Sequence, residues 1–187
     1  FFVGTYFPER LELLAGVDWS GIDLGLYGHV EPEQKRTRAY KKLLPYFKGE
    51  AMDNADALAY YRRARLTLNL NRTCEHLDGQ KHVTTAESLN PRAYELAAVG
   101  ACQVAEYRAE YADVFGSSVP TFTTAEELGQ TVRTLLATPG LRTHLAREAH
   151  RRVAPHSFDA RAAHLIDQLG AAVLSNPLAP ARQAAAD

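Results

Sequence analysis

Residues 87–107 read ESLNPRAYELAAVGACQVAEY, and this stretch decides the fold class. Asn90 is a natural helix N-cap, and Pro91 suits the first helical position. The small and apolar residues that follow predict a helix that Gly100 ends. The mostly apolar run Cys-Gln-Val-Ala at 102–105 then predicts a buried strand. A capped helix that runs through a glycine directly into a strand is typical of an α/β unit.

Strand and helix patterns alternate along most of the chain. Strands are predicted at 1–4, 22–28, 45–49, 66–70, 102–105 and 119–122. Helices are predicted at 8–15, 53–65, 90–99, from Thr123 or Thr124 to 137, at 139–153 and at 158–174, with shorter helical segments at 33–44 and 108–115. Residues 71–89 are predicted to form a long polar loop. This order predicts a Rossmann-like, doubly wound parallel sheet of about six strands with flanking helices.

The composition and the chain ends suggest one domain within a longer protein. The 187 residues are 46% hydrophobic and 23% charged, which suits a folded domain. We predict a ligand-binding domain over 1–175 and an Ala- and Pro-rich tail or linker over 176–187. Because Phe1-Phe2-Val3-Gly4 already has the pattern of a strand, we expect the chain to be a piece of a longer protein.

Charge and cysteine content disfavour several classes of protein. A net charge of -1 gives no reason to expect a nucleic-acid partner, and the apolar runs are too short to span a membrane. The 2 cysteines favour a cytoplasmic protein over a disulfide framework. The segment 74–82 contains Cys, Glu, Asp and His but matches no compact zinc pattern, so no metal is predicted.

The predicted helix after Pro91 favours a ligand with phosphate groups. The first turn of a helix presents free N–H groups and a partial positive charge, which suit a phosphate or diphosphate. The Glu95 carboxylate, about one turn into that helix, can accept hydrogen bonds from two ribose hydroxyls. Glu87, in the loop before the helix, can reach a different part of the same ligand. A nucleotide-sugar carries hydroxyls at both ends and phosphates between them.

The spacing Glu87-x7-Glu95, followed by small residues at 97–101, resembles the E-x7-E signature of retaining glycosyltransferases with the GT-B fold. Residues 1–10 resemble the first strand and phosphate loop of that family's C-terminal domain. Residues 47–71 and 124–169 resemble its glycine–helix–strand section and its closing helices. The form RAYELAAVGA at 92–101 is most similar to the spore-maturation glycosyltransferase-like branch.

The resemblance implies a role for each matching residue. It implies that Glu95 holds the ribose hydroxyls, that Glu87 contacts the donor sugar, and that the backbone amides of Leu89 and Asn90 hold sugar or phosphate. It also implies a nucleoside diphosphate sugar such as a UDP-sugar as donor substrate, with no separate cofactor and no bound metal. The acceptor site would belong to an N-terminal domain that this chain does not contain.

The resemblance further implies that cations face the donor diphosphate. Arg10 and Thr5 match the family's phosphate loop, and Arg92 lies in the first turn of the predicted helix. A cation there stabilises the charge that develops on the departing nucleoside diphosphate. Arg10 has an alternative role, because it can pair with Glu9 or Glu12 on a helix face.

Two other functions fit the same sequence. The family usually has Gly-Phe-Gly-Leu after the first glutamate, whereas this chain has Ser-Leu-Asn-Pro at 88–91. Side chains there replace the glycines that permit close backbone approach. The chain can therefore also be a catalytically inactive Rossmann-like module that binds a nucleotide or a protein partner. A nucleotide-dependent epimerase on the same architecture is the third candidate.

Overall fold

The structure is a computed structural model that describes residues 1–72, 74–77, 80–83 and 87–175, with side chains for 1–72 and 87–170. The chain divides into two compact units, Phe1–Val153 and Ala154–Asp187. The predicted tail at 176–187 and the side chains of 74–82 lie outside the described residues. In the part of the chain that is described, no helix is long and apolar enough to cross a membrane.

The described residues of the first unit form eight strands. They are β1 (Phe2–Val3), β2 (Leu26–Tyr27), β3 (Phe47–Gly49), β4 (Thr67–Asn69), β5 (Cys74–Leu77), β6 (Gln80–Val83), β7 (Gln103–Glu106) and β8 (Thr121–Phe122). Six of them form two parallel three-stranded sheets, in the orders β1-β2-β3 and β4-β7-β8. The sequence predicted all six, and the parallel α/β fold is confirmed.

The two sheets meet where β1 lies beside β4. The amide of Leu68 donates to the carbonyl of Phe1 at 2.9 Å. The spatial order is therefore β3-β2-β1-β4-β7-β8, which is the doubly wound order with its reversal between β1 and β4. We predicted one sheet of about six strands, whereas the structure divides these six strands into two sheets at the β1–β4 junction. The division falls there because β1 is just 2 residues long and supports few ladder bonds.

Helices cover both faces of the sheets. The first unit has α1 (Pro8–Gly16), α2 (Arg38–Leu43), α3 (Asn54–Arg63), α4 (Pro91–Ala98), α5 (Glu110–Phe115), α6 (Ala125–Ala137) and α7 (Pro139–Val153), with short 3-10 turns at Gln34–Arg36 and Leu44–Tyr46. These bounds confirm the predicted helices to within a few residues. One buried cluster joins α1, α2 and α6 to the sheets, and two others join the sheets to α3, α4, α5 and α7.

Side-chain caps explain where several helices begin. The Oδ1 atom of Asn90 accepts from the amide of Ala93 at 3.0 Å, which confirms the predicted N-cap of α4. Thr124 and Glu127 form a reciprocal capping box at the start of α6. These caps bond N–H groups in the first turn that have no partner within the helix.

The polar segment 71–89 contains structure that the sequence analysis did not predict. β5 and β6 pair in an antiparallel hairpin, with Cys74 opposite Val83 and Leu77 opposite Gln80. The prediction of a loop throughout this segment was wrong. The Asp-Gly pair at 78–79 was the available signal, because that dipeptide favours the tight turns of two-residue hairpins.

A close approach of two glycines shapes the chain after β1 and β2. The amide of Gly4 donates to the carbonyl of Tyr27 at 3.0 Å. Gly28 has φ +135, and a Cβ atom placed on it would lie 1.8 Å from the carbonyl oxygen of Gly4. Only glycine fits at position 28, and its absence of a side chain lets the loop after β1 lie against the end of β2.

The second unit consists of a short 3-10 turn at Ala154–His156 and α8 (Phe158–Ser175). The hydroxyl of Ser157 accepts from the amide of Ala160 at 3.1 Å, so Ser157 caps α8. Several large apolar side chains of α8 are exposed, namely Phe158, Leu165, Ile166 and Leu169.

Candidate functional site at the carboxyl edge of the sheets

The carboxyl ends of β1, β4 and β7 lie together with the first turn of α4, and we call this region the carboxyl edge. In open parallel α/β sheets, ligands bind beyond the carboxyl ends of the strands where the strand order reverses. Here that reversal falls between β1 and β4. All seven residues that the sequence singled out belong to segments that adjoin this edge: Thr5, Arg10, Glu87, Leu89, Asn90, Arg92 and Glu95.

Arg10 ties the segment after β1 to the segment after β4. Its guanidinium donates to the carbonyl oxygen of Thr5 at 2.7 Å, to that of Leu70 at 2.9 Å and to that of Asn71 at 3.1 Å. Three of its five N–H groups therefore bond backbone, and two remain. These bonds go to backbone carbonyls, whereas the alternative role predicted for Arg10 was an ion pair with Glu9 or Glu12.

Arg92 places a second guanidinium beside the first. The guanidinium carbon atoms of Arg10 and Arg92 lie 5.8 and 5.9 Å from the centroid of the Phe2 ring. A Cβ atom built on Gly4 would lie 3.3 Å from Nη1 of Arg92 and 3.7 Å from Nη1 of Arg10. The two cations therefore converge on the backbone of Gly4, where the lack of a side chain leaves room.

The electrostatics of this pair favour an anion. Burial first, and then the positive charge of Arg92, lower the pKa of Arg10 to about 10. The Nε atom of Arg92 is buried and has no hydrogen-bond partner among the described residues. Two neighbouring cations with spare donors repel each other until an anion lies between them. A phosphate or diphosphate group has the charge and the acceptor oxygens to do so.

Buried amide side chains hold α4 against the sheet. Asn90 Nδ2 donates to Asn69 Oδ1 at 2.9 Å and to Asn71 Oδ1 at 3.0 Å. Asn69 Nδ2 in turn donates to the hydroxyl of Tyr111 at 3.0 Å, and Gln103 Nε2 donates to the carbonyl of Ala93 at 2.9 Å. The network fixes the first turn of α4 relative to β4 and β7. Asn90 thus positions the site through its side chain, a role that the sequence analysis did not assign to it.

Two side chains from the β7–α5 region hold the loop before α4. Glu110 Oε2 accepts from the amide of Leu89, and Arg108 Nη1 donates to the carbonyl of Ser88 at 2.7 Å. The Leu89 amide, predicted to hold sugar or phosphate, therefore already has a carboxylate partner in this structure. Side-chain contacts thus position this loop.

The two predicted glutamates are both exposed. Glu95 lies on α4 one turn after Arg92, and both charges act on the buried hydroxyl of Tyr61 from α3. Burial raises the pKa of Tyr61, and Arg92 opposes this shift through its charge and a hydrogen bond. Arg92, Glu95 and Tyr61 therefore form one group at the α3–α4 side of the edge. Glu87 lies at the start of the described segment before α4 and is open to solvent.

Glu106 is a site residue that the sequence analysis missed. Its Oε2 atom accepts from the amide of Asn71 at 2.8 Å, and its carbonyl accepts from Asn71 Nδ2 at 3.1 Å. Burial raises the pKa of Glu106, while the amide of Asn71 and the charge of Arg10 oppose that shift. Its position directly at the end of β7 was the signal that could have found it.

A cavity beside Phe1 and Trp19 lies away from this edge, and the described residues offer no metal cluster. This cavity, of about 720 Å³, lies near the amino ends of the strands, and none of the predicted site residues lines it. Among the residues that the structure describes, no group of three or more His, Cys, Asp and Glu side chains can hold a metal ion. The predicted absence of a metal stays a prediction, because the side chains at 74–82 are outside the described residues.

The fold and the site geometry define a parallel α/β domain of the GT-B type, with two converging guanidinium groups at its carboxyl edge. A sequence model of the family described as "Glycosyl transferase-like" matches residues 10–167. The chain therefore belongs to the glycosyl transferase-like family. No curated protein matches the chain.

Solved structures with this fold include glycosyltransferases. Sucrose-phosphate synthase from Thermosynechococcus elongatus superposes with a TM-score of 0.61 at 18% identity, over 91% of this chain and 46% of that one. The DNA-modifying enzyme β-glucosyltransferase, studied with and without its substrate uridine diphosphoglucose, has a TM-score of 0.60 at 15% identity, over 92% of this chain and 50% of that one.

A third similar structure is an Anabaena protein in complex with UDP, with a TM-score of 0.57 at 16% identity. The superposition covers 94% of this chain and 48% of that one. This chain thus spans about half the length of these three proteins. At such identities the likeness establishes the fold.

Proposed function

We propose that this chain is the donor-binding half of a glycosyltransferase that moves a sugar from a nucleoside diphosphate sugar to an acceptor hydroxyl. The observation that carries the proposal is the convergence of Arg10 and Arg92 on Gly4 at the carboxyl edge. Membership of the glycosyl transferase-like family and structural neighbours studied with UDP or a UDP-sugar support it. The spore-maturation glycosyltransferase-like branch stays our proposal for its nearest relatives.

The two arginines would stabilise the leaving group. Breaking the bond between the sugar and the diphosphate builds negative charge on the departing oxygen. Arg92 has a buried Nε without a partner, and Arg10 keeps two N–H groups beyond its three backbone bonds. Because the Arg10 bonds fix its guanidinium before any ligand arrives, little reorganisation is needed when the charge develops. Thr5 contributes the backbone that orients Arg10.

The two glutamates would bind the ends of the donor. Glu95 lies one turn beyond Arg92 on α4, so a diphosphate at the arginines brings the adjoining ribose within reach of its carboxylate. Glu87, before the N-terminus of α4, would accept from a hydroxyl of the sugar. The backbone amide of Asn90 would donate to the sugar or phosphate. The backbone amide of Leu89 would do the same once its bond to Glu110 is broken. In this proposal no described residue of the site acts as a nucleophile, and catalysis rests on positioning and charge stabilisation. Retention of the sugar's configuration stays what the sequence resemblance implies.

Nucleotide titration tests the donor site directly. We expect one of UDP, GDP and ADP to bind the chain in calorimetry, with UDP our first candidate. Glu95→Ala should weaken that binding about tenfold or more, since two hydroxyl hydrogen bonds are lost. Glu12→Ala, which removes an exposed glutamate of α1, is the matched control and should leave binding unchanged. Absence of binding by any of the three, in this chain and in the longer protein that contains it, would overturn the proposal.

A catalytically inactive nucleotide-binding or interaction module is the second candidate. The contact of Glu110 with the Leu89 amide favours it, because a carboxylate there competes with any anionic part of a donor. The glycosyltransferase and the inactive nucleotide-binding module both predict nucleotide binding, so turnover must separate them, whereas a protein-interaction module would bind no nucleotide. Hydrolysis or transfer from a UDP-sugar by the longer protein, lost in Arg92→Gln, would support the enzyme. Tight binding without any turnover would support the inactive module.

A further inference from the structure

A cationic cavity lies at the amino ends of β4 and β7, on the side of the sheet opposite the carboxyl edge. Its volume is about 350 Å³, and Ala101 and Cys102 form part of its buried floor. Its basic lining residues come from two segments. One runs over the end of α3 and the residues directly after it (Arg62, Arg65), and the other is helix α7 (Arg142, Arg147, His150). No acidic residue lines it among those that the structure describes.

Most of this positive charge is not neutralised within the described residues. The ion pairs among the described residues join other side chains, and none of them involves Arg62, Arg65 or Arg147. Arg142 donates to the carbonyls of Leu135 and Leu136, so its guanidinium is held in place while its charge stays unpaired. A chain with a formal net charge of -1 therefore concentrates cations at one concave position.

Helix dipoles do not account for this convergence. Arg62 lies in the last turn of α3, where a cation is favoured by the carbonyl end of the helix. Arg147, however, lies in the interior of α7, and Arg65 lies beyond the end of α3. Two separate segments direct cations to one cavity, and a guanidinium binds phosphate oxygens with two parallel N–H bonds.

We propose that this amino-edge cavity binds a compact phosphate-bearing anion, at a site separate from the donor site. The volume exceeds what one diphosphate group needs, so a diphosphate or a phosphorylated headgroup can enter. Among its described lining residues, Tyr61 also contacts the donor position, through its hydrogen bond with Arg92. The basic residues of the cavity, however, are all distinct from Arg10 and Arg92. The proposal therefore stands independently of the proposed glycosyltransferase activity.

Titration of the full chain with inorganic diphosphate tests the site. We expect Arg62→Gln combined with Arg147→Gln to weaken one class of diphosphate binding by about a hundredfold, about tenfold for each guanidinium removed. The matched control is Arg63→Gln, an exposed neighbour on α3 that lines the 720 Å³ cavity instead and should bind as the wild type does. Circular dichroism of each variant confirms that it is folded.

The same variants separate this site from the donor site and identify the source of the phosphate. Nucleotide binding should persist in the double variant and weaken in Arg92→Gln. Diphosphate binding at the amino-edge cavity should weaken in the double variant and persist in Arg92→Gln. Sedimentation with vesicles of phosphatidylglycerol and phosphatidylcholine, compared with phosphatidylcholine alone, tests a lipid headgroup. Binding of diphosphate or of the anionic vesicles that the double variant loses supports the proposal. Binding of neither, or binding that the double variant retains in full, overturns it.

Discussion

Arg10 and Arg92 stack on the same phenyl ring, with their guanidinium carbons 5.8 and 5.9 Å from the centroid of Phe2, yet their hydrogen bonding differs. Arg10 makes three bonds to backbone carbonyls, whereas the buried Nε of Arg92 has no partner among the described residues. Arg10 thus also stabilises the fold, whereas Arg92 bonds Tyr61 and keeps its Nε atom without a partner among the described residues. This difference leads to opposite expectations for their removal.

Replacing Arg10 should destabilise the first unit. Arg10→Met keeps the length and apolar contacts of the side chain but leaves the carbonyls of Thr5, Leu70 and Asn71 without their donor. We expect the free energy of unfolding to fall by about 2–4 kcal/mol, since hydrogen bonds from a charged donor are lost and the carbonyls are part-buried. Urea unfolding followed by circular dichroism measures the change. A loss of unfolding free energy below about 0.5 kcal/mol would show that the three backbone bonds of Arg10 do not stabilise the fold.

Replacing Arg92 should weaken nucleotide binding while leaving stability nearly unchanged. Arg92→Met keeps the packing on Phe2 and removes a buried N–H without a partner. We expect the free energy of unfolding to change by less than about 1 kcal/mol, because loss of the bond to Tyr61 is offset by relief of the unpaired donor. The affinity for a nucleoside diphosphate should fall about tenfold or more in calorimetry. If Arg92→Met and the wild type bind the nucleoside diphosphate with equal affinity, Arg92 is not part of the donor site.

Local sequence signals predicted the helix at the centre of the site. Asn90, Pro91 and Gly100 each act within one helical turn, so the start and the end of α4 followed from the sequence. The six parallel strands followed from apolar runs bounded by glycine or polar residues. The hairpin β5–β6 was also marked locally, by the Asp-Gly pair, and was missed because the segment was treated as one polar loop.

Long-range partners could not be predicted from the sequence. Arg10 bonds carbonyls that lie 60 and 61 residues further along the chain, and Asn69 bonds Tyr111, which is 42 residues away. Such contacts exist only after the crossovers have brought β1, β4 and β7 together. Gln103 is a buried polar residue inside a predicted apolar strand, and its partner, the carbonyl of Ala93, becomes apparent only in the folded domain.

The Asn90 side chain performs two separable tasks. Its Oδ1 atom caps α4, and its Nδ2 atom donates to Asn69 and Asn71. Asn90→Asp keeps the cap and loses both donated bonds, whereas Asn90→Ala loses everything. We expect Asn90→Ala to cost about 2–4 kcal/mol, the sum of a cap and a buried network, and Asn90→Asp to cost less. Thermal and urea unfolding of the two variants measure the costs. Equal costs would show that the cap contributes nothing.

Gly28 should tolerate no side chain. A Cβ atom there would lie 1.8 Å from the carbonyl oxygen of Gly4, and the residue has φ +135. We expect Gly28→Ala to destabilise the first unit by more than about 3 kcal/mol or to prevent folding, since both backbone strain and a backbone clash must be relieved. Gly140→Ala is the control, because a Cβ atom there meets nothing within 4 Å. That variant should match the wild type or gain up to about 1 kcal/mol.

Cys102 should be unreactive in the folded chain and become reactive at high pH or on unfolding. It is a free, buried cysteine, and burial raises the pKa of its thiol to about 11, with the charge of Arg142 opposing the shift. At pH 8 only about one thiol in a thousand is ionised, against roughly one in four for an ordinary cysteine. Cys74→Ser isolates the Cys102 signal in a reaction with Ellman's reagent. We expect its rate to lie at least about a hundredfold below that of the same protein in guanidinium chloride, and to rise as the pH approaches 11. A native rate close to the denatured rate would mean that Cys102 is accessible and that the floor of the amino-edge cavity opens in solution.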